Sequence, residues 1–331
     1  MEKLLRATSW KRRSKNWRTI DMSEKKATRQ GYGDGLVELG KKYSDVIVLD
    51  ADLGHATGSL TFRKAFPERY IETGIAEQNL IGMAVGLSKV GYVPFASSFA
   101  MFAAGRAFEI IRNAAAYSKA NVKIVGSHSG ITPAGDGGTH QCIEDIAALR
   151  AVPNMTVLSP CDYNQAKLIV EAAYHFKGPV YIRTSREPMP IVTSCDMPLE
   201  IGKAQRLRSG RDLCIVATGI MTPLALEAAE QLASGGIEAS VLNIHTIKPL
   251  DTDTITSETL GCGGRILVCE EANRFGGIGE AASYALLGKE GIKMAHVAVD
   301  DRFGQSGQTA ELLAEYGITA DNIVSKAKSL F

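Results

Sequence analysis

The stretch KIVGSHSGITPAGDGGTHQCIEDIAALRAVPNMTVLSPCDYNQAKLIVEAAYHFKGPVYIRT (123–184) alternates two periodicities. KIVGSH (123–128), MTVLS (155–159) and PVYIRT (179–184) are short, largely apolar runs bounded by turn residues, as in strands buried on both faces. Between them, CIEDIAALRAV and NQAKLIVEAAYH place apolar residues at helical spacing. Parallel strands need a crossover of a dozen or more residues, so this alternation predicts a mostly parallel, doubly wound α/β sheet.

The pattern extends both ways. Upstream lie helical TRQGYGDGLVELGKKY, the strand DVIVLDAD (45–52), helical NLIGMAVGLSKVG, the run YVPFAS (92–97) and helical AAGRAFEIIRNAAAYS. Downstream, EPMPIVTSCDMP (187–198) holds three prolines and no periodicity, which marks a linker. A second alternation follows: LCIVATG, helical PLALEAAEQLASGG, the strand ASVLNIHTI (239–247), RILVCEE, helical GEAASYALLGKEG and AHVAVD. The expected layout is a basic, disordered extension over 1–26, a first domain over 27–188, a linker over 189–207 and a second domain over 208–331.

Composition agrees with two globular domains: 331 residues, 45% hydrophobic and 22% charged. The net charge of +1 is uneven, because residues 1–26 carry nine Lys/Arg against three Asp/Glu and leave the remaining 305 at −5. A mildly acidic body argues against a nucleic-acid surface. No apolar run reaches the roughly 18 residues of a membrane span. The basic leader lacks the apolar stretch of a secretory signal. The six cysteines show no ligand spacing and read as reduced thiols of a cytoplasmic protein.

Ligands of doubly wound sheets sit at the carboxyl ends of the strands. Asp50, Asp52, Ser97, Ser98, His128, Arg183 and Arg186 all fall there. Two segments stand out. In YIETGIAEQNLIGMAVGLSKVGYVPFASSFAMF, Glu77 opens an apolar helix; taken alone, it is a carboxylate favoured by the helix dipole. In GSHSGITPAGDGGTHQ (126–141), five glycines accompany His128, Asp136 and His140. Gly, Asp and Thr suit a surface turn, but a loop this long inside a compact domain is more often functional.

Together GIAEQN, the Phe-x-x-Phe of SSFAMF, SHSG…GDGGTHQ, YIRTSREP, IHTIKPLD and GGIGEA resemble the transketolase family of thiamine-diphosphate enzymes over roughly 27–331. The resemblance is to the C-terminal half, a pyrimidine-binding plus a C-terminal domain, as in the small subunit of a split transketolase. It implies a partner large subunit that carries the diphosphate-binding domain and the Mg²⁺ ligands, in an α₂β₂ assembly. It further implies that thiamine diphosphate is shared between subunits and that a two-carbon ketol unit moves between sugar phosphates.

By the same resemblance, Glu77 is the carboxyl that hydrogen-bonds the cofactor's pyrimidine, buried among Ile75, Leu80 and Ile81. Phe99 and Phe102 bed that ring, and Asp52 lies beside it. His128, Asp136 and His140 contact sugar, His140 with a catalytic role. Arg29 (ATRQ) and Arg186 (TSRE) bind phosphate through forked donors. Two positions depart from the family: an aromatic is replaced by Gly105, and a phosphate-binding serine by Ala56, for which Thr57 or Ser59 are the candidate substitutes.

Two motifs mimic other chemistries. Gly135-Asp136-Gly137 with Asn164 imitates a Mg²⁺–diphosphate motif but lies in a loop, and GGIGEA with Asp300 imitates a dinucleotide fingerprint whose glycines come too late after their strand. The alternatives are the β subunit of a 2-oxoacid dehydrogenase, a deoxyxylulose-phosphate-synthase-like enzyme and a non-catalytic partner-binding module. GDGGTHQ with His128 upstream favours the sugar enzyme over the first. Deoxyxylulose-phosphate synthase is normally one long chain. A pure scaffold has no use for Glu77 and the loop.

Overall fold

A computed structural model describes residues 23–331. The first half supplies strands β1 (Lys25–Ala27), β2 (Val46–Asp50), β3 (Tyr70–Glu72), β4 (Val93–Phe99), β5 (Lys123–Ser127), β6 (Thr156–Leu158), β7 (Val180–Arg183) and β8 (Pro188–Pro190). The second supplies β9 (Gln205–Arg208), β10 (Leu213–Ala217), β11 (Ala239–Asn243), β12 (Thr246–Lys248), β13 (Arg265–Asn273) and β14 (Lys293–Val299).

The first sheet runs β12-β6-β7-β5-β4-β2-β3, parallel except for β12. The second runs β14-β13-β10-β11-β9, parallel except for β9. The chain goes from β2 outward to β3 and then returns past β2 to β4. That reversal is a topological switch point, where such sheets bind ligands outside the strand carboxyl ends. Asp50 ends β2 and Phe99 ends β4 at that point.

Three expectations need correction. The strand expected over 239–247 is two strands in different sheets: β11 stays in the second, and β12 crosses to pair antiparallel with β6 of the first. Ser159 N–H donates to the His245 carbonyl at 2.9 Å at that crossing. Within the expected linker, Gln205–Arg208 is an edge strand of the second sheet. Lys25 and Lys26, placed in the extension, form a two-stranded ribbon with β8, from a proline-rich stretch that still pairs because β8 is short and lies at an edge. The rest of the extension, 1–22, lies outside the described residues.

The largest apolar cluster draws on both sheets. Ile146, Leu149, Val157 and Tyr181 from the first half pack with Val216, Leu242, Ile247 and Val268 from the second. No helix among the described residues is long and apolar enough to cross a membrane.

Candidate functional site

Glu77 is the first residue of the helix Glu77–Lys89 and only 1% exposed. Leu80 and Ile81 beside it are fully buried, as expected, whereas Ile75 is 74% exposed and contributes nothing to that burial. Ser98 Oγ, from β4, donates to Glu77 Oε1 at 3.3 Å, and Arg106 Nη1 donates to Oε2 at 2.6 Å. Arg106 closes a wide-turned π-helix, Met101–Arg106, that follows directly on β4. Such turns are rare and frequent at functional sites.

The same strand end and π-turn build an aromatic wall. Phe99 and Phe102 lie nearly parallel, with ring centroids 6.0 Å apart. His128 stacks on Phe99 at 4.1 Å, and His140 meets Phe102 edge-on at 5.4 Å. Gly105 leaves the third family aromatic without a counterpart. The Arg106 guanidinium lies over the Phe102 ring instead, 4.8 Å from its centroid. Glu77, Phe99, Phe102, His128 and His140 therefore converge.

His128 sits at the end of β5 with φ +57°, a left-handed conformation unusual for a non-glycine residue and typical of functional turns. Ser127 Oγ lies 2.9 Å from its Nδ1. Burial, with the positive charges of Arg29 and Arg186, lowers its pKa to about 3, so the ring is neutral at physiological pH. His140 Nδ1 lies 3.0 Å from Thr139 Oγ1.

The two arginines approach each other. Arg29 is the second residue of the helix Thr28–Lys42, whose Thr28 Oγ1 accepts from Ser185 N–H at 2.7 Å and so fixes it beside Arg186. Arg29 Nη1 donates to the Ala56 carbonyl at 2.7 Å, while its Nε is buried without a hydrogen-bond partner. Burial and the neighbouring Arg186 charge pull the Arg29 pKa below its usual value. Arg186 Nη1 donates to the Pro133 carbonyl at 3.2 Å and to Asp136 Oδ2 at 3.4 Å. An orphaned guanidinium donor beside a second cation is a pair suited to an anion.

Neither candidate for the missing serine hydroxyl serves. Thr57 Oγ1 and Ser59 Oγ both donate to the buried Asp50 Oδ2, at 2.7 and 2.8 Å, and are spent there. Burial pushes the Asp50 pKa up to about 6, against the pull of those two hydroxyls. Asp52 is exposed, with φ +62°, and its side chain shares no hydrogen bond or ion pair with the other candidates. Arg183 is also set apart, because its guanidinium is held by Asp145 at 3.0 Å and the Glu271 carbonyl at 2.7 Å.

The second half of the chain holds the glycine-rich loop in place. Glu271 Oε1 accepts from the N–H groups of Ile131 at 2.8 Å and Thr132 at 3.0 Å. Gln141 Nε2 donates to the Ile131 and Gln305 carbonyls, both at 3.0 Å. Glu271 and Arg106 escaped the sequence reading. Glu271 falls in the strand run RILVCEE, and Arg106 in the helical stretch AAGRAFEIIRNAAAYS, where neither stands out by type or spacing.

Both imitating motifs resolve structurally. Asp136 pairs with Arg186, whereas Asn164 Nδ2 donates to the Thr193 carbonyl at 2.7 Å, so the two residues serve different partners. In GGIGEA, the start of the helix Ile278–Ala285 is filled by the Glu270 carboxylate, which accepts from Ile278 and Gly279 N–H at 2.8 and 2.9 Å. A Cβ on Gly277 would lie 2.2 Å from that carboxylate. The glycines thus admit a side chain where a dinucleotide fingerprint admits pyrophosphate. Asp300 pairs with Arg274 at 2.5 Å. Two surface clefts of about 430 and 450 Å³ are lined by none of the candidate residues.

Comparison with known proteins agrees with this fold. The transketolase pyrimidine-binding domain family matches residues 24–191, and the transketolase C-terminal domain family matches 202–323. A Methanocaldococcus jannaschii protein named for the C-terminal section of a transketolase is 45% identical, over 91% of this chain and 95% of its own length. A 6-deoxy-6-sulfo-D-fructose transketolase subunit of Clostridium sp. is 40% identical, over 90% of this chain and 92% of its own. Human transketolase is 39% identical over 93% of this chain, which spans half of its length. A solved split-gene transketolase, described as an inactive β4 tetramer, superposes with a TM-score of 0.84 at 45% identity, covering 92% of this chain and 97% of that one. The chain belongs to the transketolase family.

Proposed function

We propose that the chain is the small subunit of a split, cytoplasmic transketolase of carbohydrate metabolism, active in an α₂β₂ assembly with a large subunit that carries the diphosphate-binding domain and the Mg²⁺ ligands. It would transfer glycolaldehyde units between sugar phosphates. The observation that carries this reading is the convergence of a buried carboxyl, two parallel phenyl rings, two histidines and two facing arginines at one sheet's switch point. Thiamine diphosphate, when bound, supplies the carbon nucleophile.

The residues divide the remaining work. Glu77 holds the pyrimidine through a carboxyl oxygen, and Phe99 and Phe102 bed the ring, where offset rings are favoured. Asp52 takes a lesser part beside it. His128, neutral and backed by Ser127, accepts or donates one hydrogen bond to a sugar oxygen, and His140 moves a proton there. Asp136 fixes a sugar hydroxyl. Arg29 and Arg186 clamp the terminal anion, the Nε of Arg29 being the unspent donor.

The substrate's terminal anion is weighed between a phosphate and a sulfonate. Ala56 provides no hydroxyl, Thr57 and Ser59 are spent on Asp50, and the Clostridium relative is named for a sulfo sugar. Hydrogen bonds to charged groups contribute roughly 1.5–3 kcal/mol each, so two arginines outweigh one lost hydroxyl and a phosphate is expected.

The test is ketol transfer by the chain co-purified with its large subunit, on a ketose phosphate, its 6-sulfo analogue and the unsubstituted ketose. Activity is expected only in the pair, highest on the phosphate, and reduced at least about a hundredfold by Glu77→Ala. Full activity from the isolated chain would sink the split-subunit reading, and preference for the sulfonate would replace the substrate.

A further inference from the structure

The Arg106 side chain makes two contacts at once, and both are contacts that the proposed reading assigns to the pyrimidine ring. Its planar guanidinium donates an N–H to Glu77 Oε2 at 2.6 Å, and its Cζ lies over Phe102, 4.8 Å from the ring centroid. The other oxygen of Glu77 receives only the longer 3.3 Å bond from Ser98. Little packing holds Arg106 there, since its side chain is 45% exposed while Glu77 is 1% exposed. The nearby cations are engaged elsewhere: Arg29 on Ala56, and Arg186 on Pro133 and Asp136.

We infer that Arg106 is a placeholder for the pyrimidine: it occupies Glu77 and Phe102 in the chain by itself and must swing off for the ring to bind. The inference rests on the reading of Glu77 as the pyrimidine's partner. A guanidinium is suited to this task because it is planar, permanently charged and rich in N–H donors. It satisfies the buried carboxylate, which would be costly to leave unpaired. Its exposure and its place on a π-turn give it room to leave. Arg106 is therefore a residue that sets cofactor affinity by competing for the carboxyl, and it does not touch the reacting atoms.

A ligand whose site is open only part of the time binds more weakly by that fraction. Removing the placeholder should therefore tighten binding, the opposite of what loss of a ligand-contacting arginine would do. The probe is thiamine itself, titrated into the full chain and followed by ligand-observed nuclear magnetic resonance. Arg106→Ala should bind thiamine about tenfold more tightly than the native chain. Arg106→Gln, which keeps the planar amide but loses the charge, should behave likewise if the alanine variant folds poorly. Arg106→Lys, which keeps the charge, should restore affinity toward the native value. Unchanged or weaker binding by folded Arg106→Ala and Arg106→Gln would overturn the inference while leaving Glu77 in its role. If Glu77→Ala bound thiamine as well as the native chain does, the pyrimidine reading would fall, and Arg106 with it.

Discussion

His128 combines three unusual features at one residue: a left-handed backbone, near-complete burial and a pKa lowered to about 3. An unfolded histidine titrates near 6.5, so below that pH the unfolded chain takes up a proton that the native ring refuses. The contribution is thus neutral above pH 6.5, and stability is lost as pH falls from 6.5 toward 3. The His128 imidazole carbon shifts should stay those of a neutral ring down to about pH 4 in a nuclear magnetic resonance titration. A midpoint near 6.5 would mean that the ring is solvated and that the arginines do not face it. At this scale the sequence was informative wherever a motif carried the residue. Glu77, Phe99, Phe102, His128 and His140 were all legible and do converge. Arg106 was not, because its contact depends on a π-turn, and the extra residue in a turn leaves no periodic mark in so short a helix. Asp52 was legible as a strand-end carboxylate, but it is exposed and its side chain makes none of the hydrogen bonds that join the rest.

Among the elements, the loop over 126–141 shows what residue type reveals and what only packing reveals. Its glycines marked it as a turn-rich functional loop, yet they are not equivalent. Gly130 has φ +72°, and a Cβ there would lie 2.1 Å from the Glu271 carboxyl carbon. Gly135 has nothing within 4 Å of the same atom and no positive φ. Gly130→Ala should therefore combine backbone strain with a clash against the carboxylate that anchors Ile131 and Thr132. A loss of about 1–3 kcal/mol in urea unfolding is expected, with ketol transfer falling as the loop loosens. Gly135→Ala should stay within about 0.5 kcal/mol of the native chain. Equal effects at the two positions would show that the loop is not docked on Glu271. The strand expected over 239–247 failed for a related reason. Its apolar run is continuous, and nothing in a continuous run says that the chain changes sheets at Ile244 and His245.

At the scale of the molecule, the two halves are joined more closely than their separate sequence alternations suggest. β12 completes the edge of the first sheet, covering strand groups that would otherwise be open to another chain. The largest apolar cluster is common to both halves. At its margin the Arg183 guanidinium bridges Asp145 and the Glu271 carbonyl, and Tyr181 Oη donates to Asp145 at 2.9 Å. Glu271 in turn holds the loop that carries the histidines and Asp136. Burial raises the Glu271 pKa to about 7 against the pull of Arg183, so charging this group opposes folding as pH rises from about 4.5 toward 7. A chain built this way should unfold as one unit, with a single calorimetric transition for both halves. Asp145→Ala removes one member of an ion pair whose side chains are 0% and 3% exposed, leaving a buried arginine without its carboxylate and Tyr181 without its acceptor. The cost should be about 3–5 kcal/mol, and it should lower the whole transition together. Two separated transitions, with only the first-sheet one displaced by Asp145→Ala, would show that the halves fold independently. The C-terminal half would then be an appended domain, and the loop would owe its geometry to the first half alone.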